Sequence, residues 1–122
     1  MPRPELAVGV GLRPGTTADA ILVAIRNAVG DRAIRCLATV ERRIAEPGIR
    51  SAADQLGIEL VGFTLTELGA VSVPNPSERV ALAVGSASVA EAAAVLASDG
   101  GNLVIAKTVF AEVVIAAAEV NS

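Results

Sequence analysis

Gly9-Val10-Gly11-Leu12-Arg13-Pro14-Gly15-Thr16-Thr17 is the stretch whose reading decides the fold. Before it, residues 6–10 are a continuous apolar run, the pattern of a strand buried on both faces of a parallel sheet. After it, Ile21, Leu22, Ile25, Ala28 and Val29 recur at helical spacing within residues 18–29, and Gly30-Asp31 stops the run. Three glycines and a proline between them describe a tight turn in which the backbone can come close to a ligand. Thr16 or Thr17 then opens the helix as its N-cap. The result is a strand, a turn and a helix N-terminus, an arrangement that favours anions.

Working outward, residues 34–40 read as a second strand and residues 47–56 as a second helix. In that helix Ile49, Ala52, Ala53 and Leu56 lie on one face, Pro47 stands in the first turn and Gly57 is the stop. A third strand covers residues 58–63, and Thr64-Leu65-Thr66-Glu67 is a capping box that opens a short helix. Residues 71–74 read as extended. Asn75-Pro76-Ser77-Glu78 starts a further helix that Gly85 breaks, and Ser88-Val89-Ala90-Glu91 is another capping box before an alanine-rich helix. Gly100-Gly101-Asn102 turns the chain into a strand at 103–107, followed by one at 109–117. The link between the last two is too short for a parallel crossover, so they pair antiparallel. The order predicts a single three-layer α/β/α domain over residues 1–122, with a mostly parallel sheet and an antiparallel C-terminal edge strand. Ligands of such sheets sit beyond the carboxyl ends of the strands, which here carry residues 9–17, Thr39 to Glu46, Thr64 and Lys107.

Composition excludes several classes. Net charge is −3, so there is no basic field for nucleic acid, and Phe63 and Phe110 are the whole aromatic content, too little for base stacking. No apolar run reaches the roughly 18–20 residues of a membrane span, and residues 1–5 lack a signal-peptide pattern; a cytoplasmic protein is expected. There is no histidine, which removes histidine-based catalysis and metal ligation. Cys36, the lone cysteine, lies in an apolar run and reads as a buried core thiol. No metal and no cofactor of the chain's own is expected.

Glycines 9, 11 and 15 give G-x-G-x-x-x-G, one residue longer than the dinucleotide fingerprint, and no lysine precedes Thr16 as a phosphate-binding P-loop requires. Arg13 gives the turn a function: a planar guanidinium fork beside helix N–H groups suits a carboxylate or a phosphate. Glu41 and Glu46 flank the loop after the second strand and are candidates for general acid–base work, or partners of Arg42 and Arg43. Lys107, the single lysine, is placed to meet an anion at the same edge.

Taken in order, these residues resemble the CobE family, which matches the C-terminal domain of CbiG in cobalamin biosynthesis. Gly9-Val10-Gly11-x-Arg13-x-Gly15-Thr16 is similar to the family's opening motif, and Ala38-Thr39 with Glu46-Pro47-Gly48 to its second. Val73-Pro74-Asn75-Pro76-Ser77 followed by Ser88-Val89-Ala90-Glu91-Ala92-Ala93 is similar to its third, and Lys107 falls on a basic position of the family. Three positions depart from it: Leu12 stands where cysteine is common, Arg43 where lysine is usual, and Val109 where a second basic residue is expected.

The resemblance implies a role in building the corrin ring, with a corrinoid or precorrin intermediate as ligand and other enzymes of the pathway as further partners. The candidate ligand-binding residues are Gly9, Gly11, Arg13, Gly15, Thr16, Thr17, Thr39, Glu46, Asn75, Ser77 and Lys107. Two classes of function stand beside each other. One is a module that binds or delivers a corrinoid precursor. The other is a hydrolase opening a precorrin lactone with release of acetaldehyde, with Glu41 or Glu46 as base. A nucleotide-binding module is a third. The missing histidine and the leucine at position 12 favour the first.

Overall fold

The computed structural model describes residues 4–70 and 88–120. In chain order these form β1 (Leu6–Gly11), α1 (Ala18–Val29), β2 (Ile34–Val40), a 3-10 turn (Glu41–Arg43), α2 (Pro47–Leu56), β3 (Glu59–Phe63), α3 (Leu65–Gly69), α4 (Ser88–Ala97), β4 (Leu103–Phe110) and β5 (Val113–Glu119). The readings of residues 71–78, with Asn75 and Ser77, and of Gly85 lie outside the described residues.

The five strands make one mixed sheet in the order β3-β2-β1-β5-β4. β1, β2 and β3 run parallel, while β5 is antiparallel to both β1 and β4. This corrects the expectation of an antiparallel edge strand. The antiparallel strand, β5, is inserted between β1 and β4, and the edge strand β4 points the same way as β1. The burial pattern explains the placement: most of β5 is buried, whereas β4 alternates between half-buried and exposed residues and suits an edge.

Each face of the sheet takes alternate residues of its strands. Leu6, Val8 and Val10 of β1 and Val113, Ile115 and Ala117 of β5 pack with Ile21 and Ile25 of α1 and Ile49 and Ala52 of α2. On the opposite face the contact over β5 is made of small side chains, Ala116 and Ala118 meeting Ala90 and Ala94 of α4, while Val40 of β2 packs with Leu68 and Val89 beside it. Gly9 belongs to this face. A Cβ there would overlap the carbonyl oxygen of Ala90, so the glycine lets α4 lie directly on the sheet. The richness in alanine is thus the chemistry of one close helix–sheet contact, and Gly9 serves that contact rather than the turn.

Three local signals hold where they were read. Thr17 caps α1, its hydroxyl accepting from the N–H of Ala20. Gly57 adopts the left-handed conformation, φ 71°, that ends α2. Both bonds of the Thr64–Glu67 capping box are made, at 2.8 and 3.1 Å. Leu56 departs from expectation: at the last position of α2 it remains 39% exposed. The C-terminal strands are also displaced. β4 continues through Val109 to Phe110, a turn of Ala111 and Glu112 follows, and β5 begins at Val113. Both turn residues have positive φ, 49° and 70°, as a two-residue hairpin of this twist requires. Neither is glycine, asparagine or aspartate, so the turn had no composition signal.

Candidate functional site

The carboxyl ends of β1, β2 and β3, the end of β4 and the start of β5 share one edge of the sheet. Two loops build the site there, the one from β1 into α1 and the one from β2 into α2.

The first loop largely satisfies itself. Thr16 donates its hydroxyl to the Arg13 carbonyl at 2.7 Å, and its N–H reaches the same oxygen at 3.2 Å. Gly15, at φ 83°, makes the tight bend that a side chain resists. Its N–H donates to Oε1 of Glu46 at 2.9 Å, across 31 residues of sequence. Glu46 occupies the N-cap position of α2 but makes no cap bond there, because its carboxylate is turned to the first loop. Gly48 completes the join, since a Cβ on it would overlap the carbonyl oxygen of Thr16. Arg43 ties the loops again, Nε donating to the Leu12 carbonyl at 3.3 Å.

Between these loops lies an open cleft of about 380 Å³ lined by Gly15, Thr16, Thr17, Glu46, Gly48 and Ser51 among others. Arg13, two residues before Gly15 in the first loop, has its side chain 78% exposed. It pairs at 3.7 Å with Glu112 in the β4–β5 turn, which is equally exposed. A second open cleft, of about 300 Å³, lies beside Glu41, Arg42 and Thr64 at the ends of β2 and β3.

The structure therefore brings Arg13, Gly15, Thr16, Thr17 and Glu46 together. It leaves others apart. Gly9 and Gly11 are buried within β1. Thr39 is fully buried in β2 and donates its hydroxyl to the Val10 carbonyl at 2.6 Å, fastening β2 to β1 beneath the loops. Lys107 lies inside β4, three residues before its end, and its backbone N–H donates to Oε2 of the buried Glu91 at 3.1 Å. Glu41 opens the 3-10 turn by the second cleft. Glu112 and Ser51 were not singled out from the sequence, and Gly48 was quoted only within the Glu46-Pro47-Gly48 motif. Glu112 is 99 positions from Arg13, in a turn without a composition signal.

Cys36 is buried, as its apolar surroundings predicted. Burial pushes its thiol up to about 11; Glu59 adds to the rise and Arg35 opposes it. It lies toward the opposite edge, opposite Ala7 and Glu59, and takes no part in the site.

Comparison with known proteins adds the following. Residues 6–118 match the family described as cobalamin synthesis G C-terminus. A cobalt-precorrin-5A hydrolase of Priestia megaterium is 32% identical over 111 residues, which cover 86% of this chain and 30% of the hydrolase. The chain thus spans less than a third of that relative. Among solved structures, CobE, a protein from the cobalamin biosynthetic pathway, superposes with a TM-score of 0.77 at 26% identity, covering 99% of this chain and 96% of CobE. The cobalamin biosynthesis protein chiG of Agrobacterium tumefaciens superposes at 0.72 with 31% identity, over 96% of this chain and 99% of the other.

Proposed function

This chain belongs to the cobalamin synthesis G C-terminal family, and from that premise we propose that it binds a corrinoid precursor at the carboxyl edge of its sheet, to hold or deliver it. Its place is in cobalamin biosynthesis. Precursors of the corrin ring carry acetate and propionate arms, so the ligand is a large, partly apolar ring edged with carboxylates. The observation that carries the reading is Arg13: a guanidinium 78% exposed, on the loop whose next residues line the cleft, paired through solvent-exposed contact at 3.7 Å. Such a pair contributes little, about 0–1 kcal/mol, so the guanidinium is available to a carboxylate that binds it in bidentate geometry. Because Gly15 and Thr16 already use their N–H groups within the loops, Arg13 rather than the turn's backbone is the principal anion contact. Thr16 and Thr17, further along the same loop, line the cleft.

The hydrolase reading is favoured by the name of the Priestia megaterium relative. Glu46 is its best base in this chain, yet its carboxylate is already engaged by the N–H of Gly15 in holding the two loops together.

Titration by ring absorbance with cobyrinic acid, whose corrin bears free acetate and propionate arms, tests the proposal. Arg13→Ala is expected to weaken binding about ten- to a hundredfold, at roughly 1.5–3 kcal/mol for a charge-assisted bond, with an unchanged denaturation midpoint. Arg13→Lys recovers part, keeping charge without the fork. Unchanged affinity in Arg13→Ala places the ligand elsewhere. Acetaldehyde released from cobalt-precorrin-5A by this chain alone, and lost in Glu46→Gln, would make it an enzyme. Binding of ATP or NAD in place of the corrin would make it a nucleotide module.

A further inference from the structure

The β4–β5 turn is built as though for something other than stability. Ala111 and Glu112 both hold positive φ, 49° and 70°, a conformation disfavoured for residues with a Cβ and cheap for glycine or asparagine. Glu112 nevertheless stands there, and its carboxylate meets Arg13. Beside it the strand end is apolar and uncovered. Among the described residues five large hydrophobic side chains are exposed, and two of them, Val109 at 64% and Phe110 at 39%, are adjacent at this tip. Phe110 pairs with Val113 immediately before the turn and shares its face, the one that carries α1, whereas Val109 pairs with Val114 and projects to the opposite face, so Phe110 is the apolar neighbour of the acid on the side of the first loop.

We propose that the β4–β5 hairpin tip is the second wall of the ligand site, with Glu112 as the exchangeable counter-ion that Arg13 gives up to a ligand carboxylate and Phe110 as the apolar contact for the ring. The proposal rests on the corrinoid reading above. Its logic is complementarity. The partner that Arg13 holds is itself a carboxylate, the same group the precursor's arms present. An apolar surface beside a cation matches a ring whose edge is acidic and whose faces are not. Exchange is easy because both members of the pair are 78% exposed. Glu112 competes with an approaching acid for the guanidinium, so only a ring that brings a carboxylate can take its place, and amidated or esterified rings have none to offer.

The experiment is a titration of the intact chain with cobyrinic acid and with its fully esterified form. Glu112→Gln is expected to tighten binding of the acid about two- to fivefold, the size of a lost exposed competitor, and to leave the ester unaffected. The gain disappears in the Arg13→Ala background. Phe110→Ser weakens both ligands about fivefold, whereas Val104→Ser, an equally exposed change at the other end of β4, does not. Wild-type protein that binds neither ring sinks the corrinoid reading and this proposal with it. Wild-type binding with Glu112→Gln silent, or with its gain persisting in Arg13→Ala, sinks only the hairpin's role. Loss of self-association on sedimentation of Phe110→Ser, with affinity unchanged, would show that the apolar tip is an interface between copies.

Discussion

The two edges of the sheet use arginine in opposite ways. At the amino edge, where β1 and β2 begin and β5 ends, the guanidinium groups are tied into the fold. Arg32, with its side chain 18% exposed, donates to the Pro4 carbonyl at 2.9 Å and pairs with Glu119 at 3.4 Å. Arg35 reaches Glu5 through both Nε and Nη2, at 3.0 and 2.8 Å. At the carboxyl edge Arg13 sits in solvent with a loose partner. Both edges hold Arg–Glu pairs, so composition does not separate them; burial and distance do. Arg43 also ties the two loops at the carboxyl edge, but only there does an arginine, Arg13, stand with its charge available.

The hardest blow to this contrast is to deform the carboxyl edge itself. Gly48→Ala places a Cβ on the backbone of Thr16. In an ordinary helix the change would stabilise by about 0.8–1 kcal/mol. Here overpacking dominates, and a net loss of about 3 kcal/mol is expected in urea denaturation. Corrin binding should fall further than that loss explains, since the two loops are forced apart. A stabilised variant would show that the loops do not lie in contact.

The next test concerns the amino half. Cys36 stays protonated in the folded chain until about 11, against 9.0 for an ordinary thiol. Between those values the unfolded chain loses a proton that the folded chain keeps, so stability falls as pH rises through the window. The loss is roughly 2–3 kcal/mol. The chain has no tyrosine and a single lysine, which leaves this window comparatively clean. Denaturation from pH 8.5 to 11 should show the decline in wild type and a shallower one in Cys36→Ala. Corrin affinity measured at pH 8.5 should be the same in both proteins, because the thiol lies away from the site.

Third in size is Arg32→Ala, expected to lower stability by about 1 kcal/mol through a partly buried charged hydrogen bond and to leave corrin affinity unchanged. A binding defect here equal to that of Arg13→Ala would erase the distinction between the edges.

How much of this contrast was legible in the sequence follows from the range of each interaction. The limits of α1, β2 and α2 agree with the reading because their signals are local: Thr17, Gly30, Pro47 and Gly57 mark their own ends. The capping box at Thr64 spans three residues and was equally plain. What was hidden depends on tertiary placement. Gly9 looks like a ligand-facing glycine until α4 is laid on it. Thr39 looks like an edge hydroxyl until the Val10 carbonyl accepts its hydrogen bond in the interior. Glu46 reads as a base or as a partner of neighbouring arginines, yet it closes the first turn from 31 residues away. The insertion of β5 beside β1 is a long-range pairing, and it is what carries Glu112 to Arg13.

The smallest expected effect gives the finest test of the contrast. Arg35 and Glu5 make a two-bonded pair with good geometry, but their side chains are 54% and 45% exposed. Solvent screening reduces its contribution to about 0.5 kcal/mol, and added salt reduces it further. Arg35→Ala should therefore scarcely move the denaturation midpoint and leave corrin binding alone. It should have one specific consequence. Arg35 is the group that holds the Cys36 thiol down, against burial and Glu59. Without it the thiol rises further above about 11; the alkaline loss of stability still begins at the unfolded value, but its upper limit moves to higher pH and the total loss grows. Glu59→Gln should move it the other way. Arg13→Ala, at the far edge, should not move it at all. A shift with Arg13→Ala as large as with Arg35→Ala would mean that the two ends share one electrostatic environment, and the separation of a structural edge from an available one would fail.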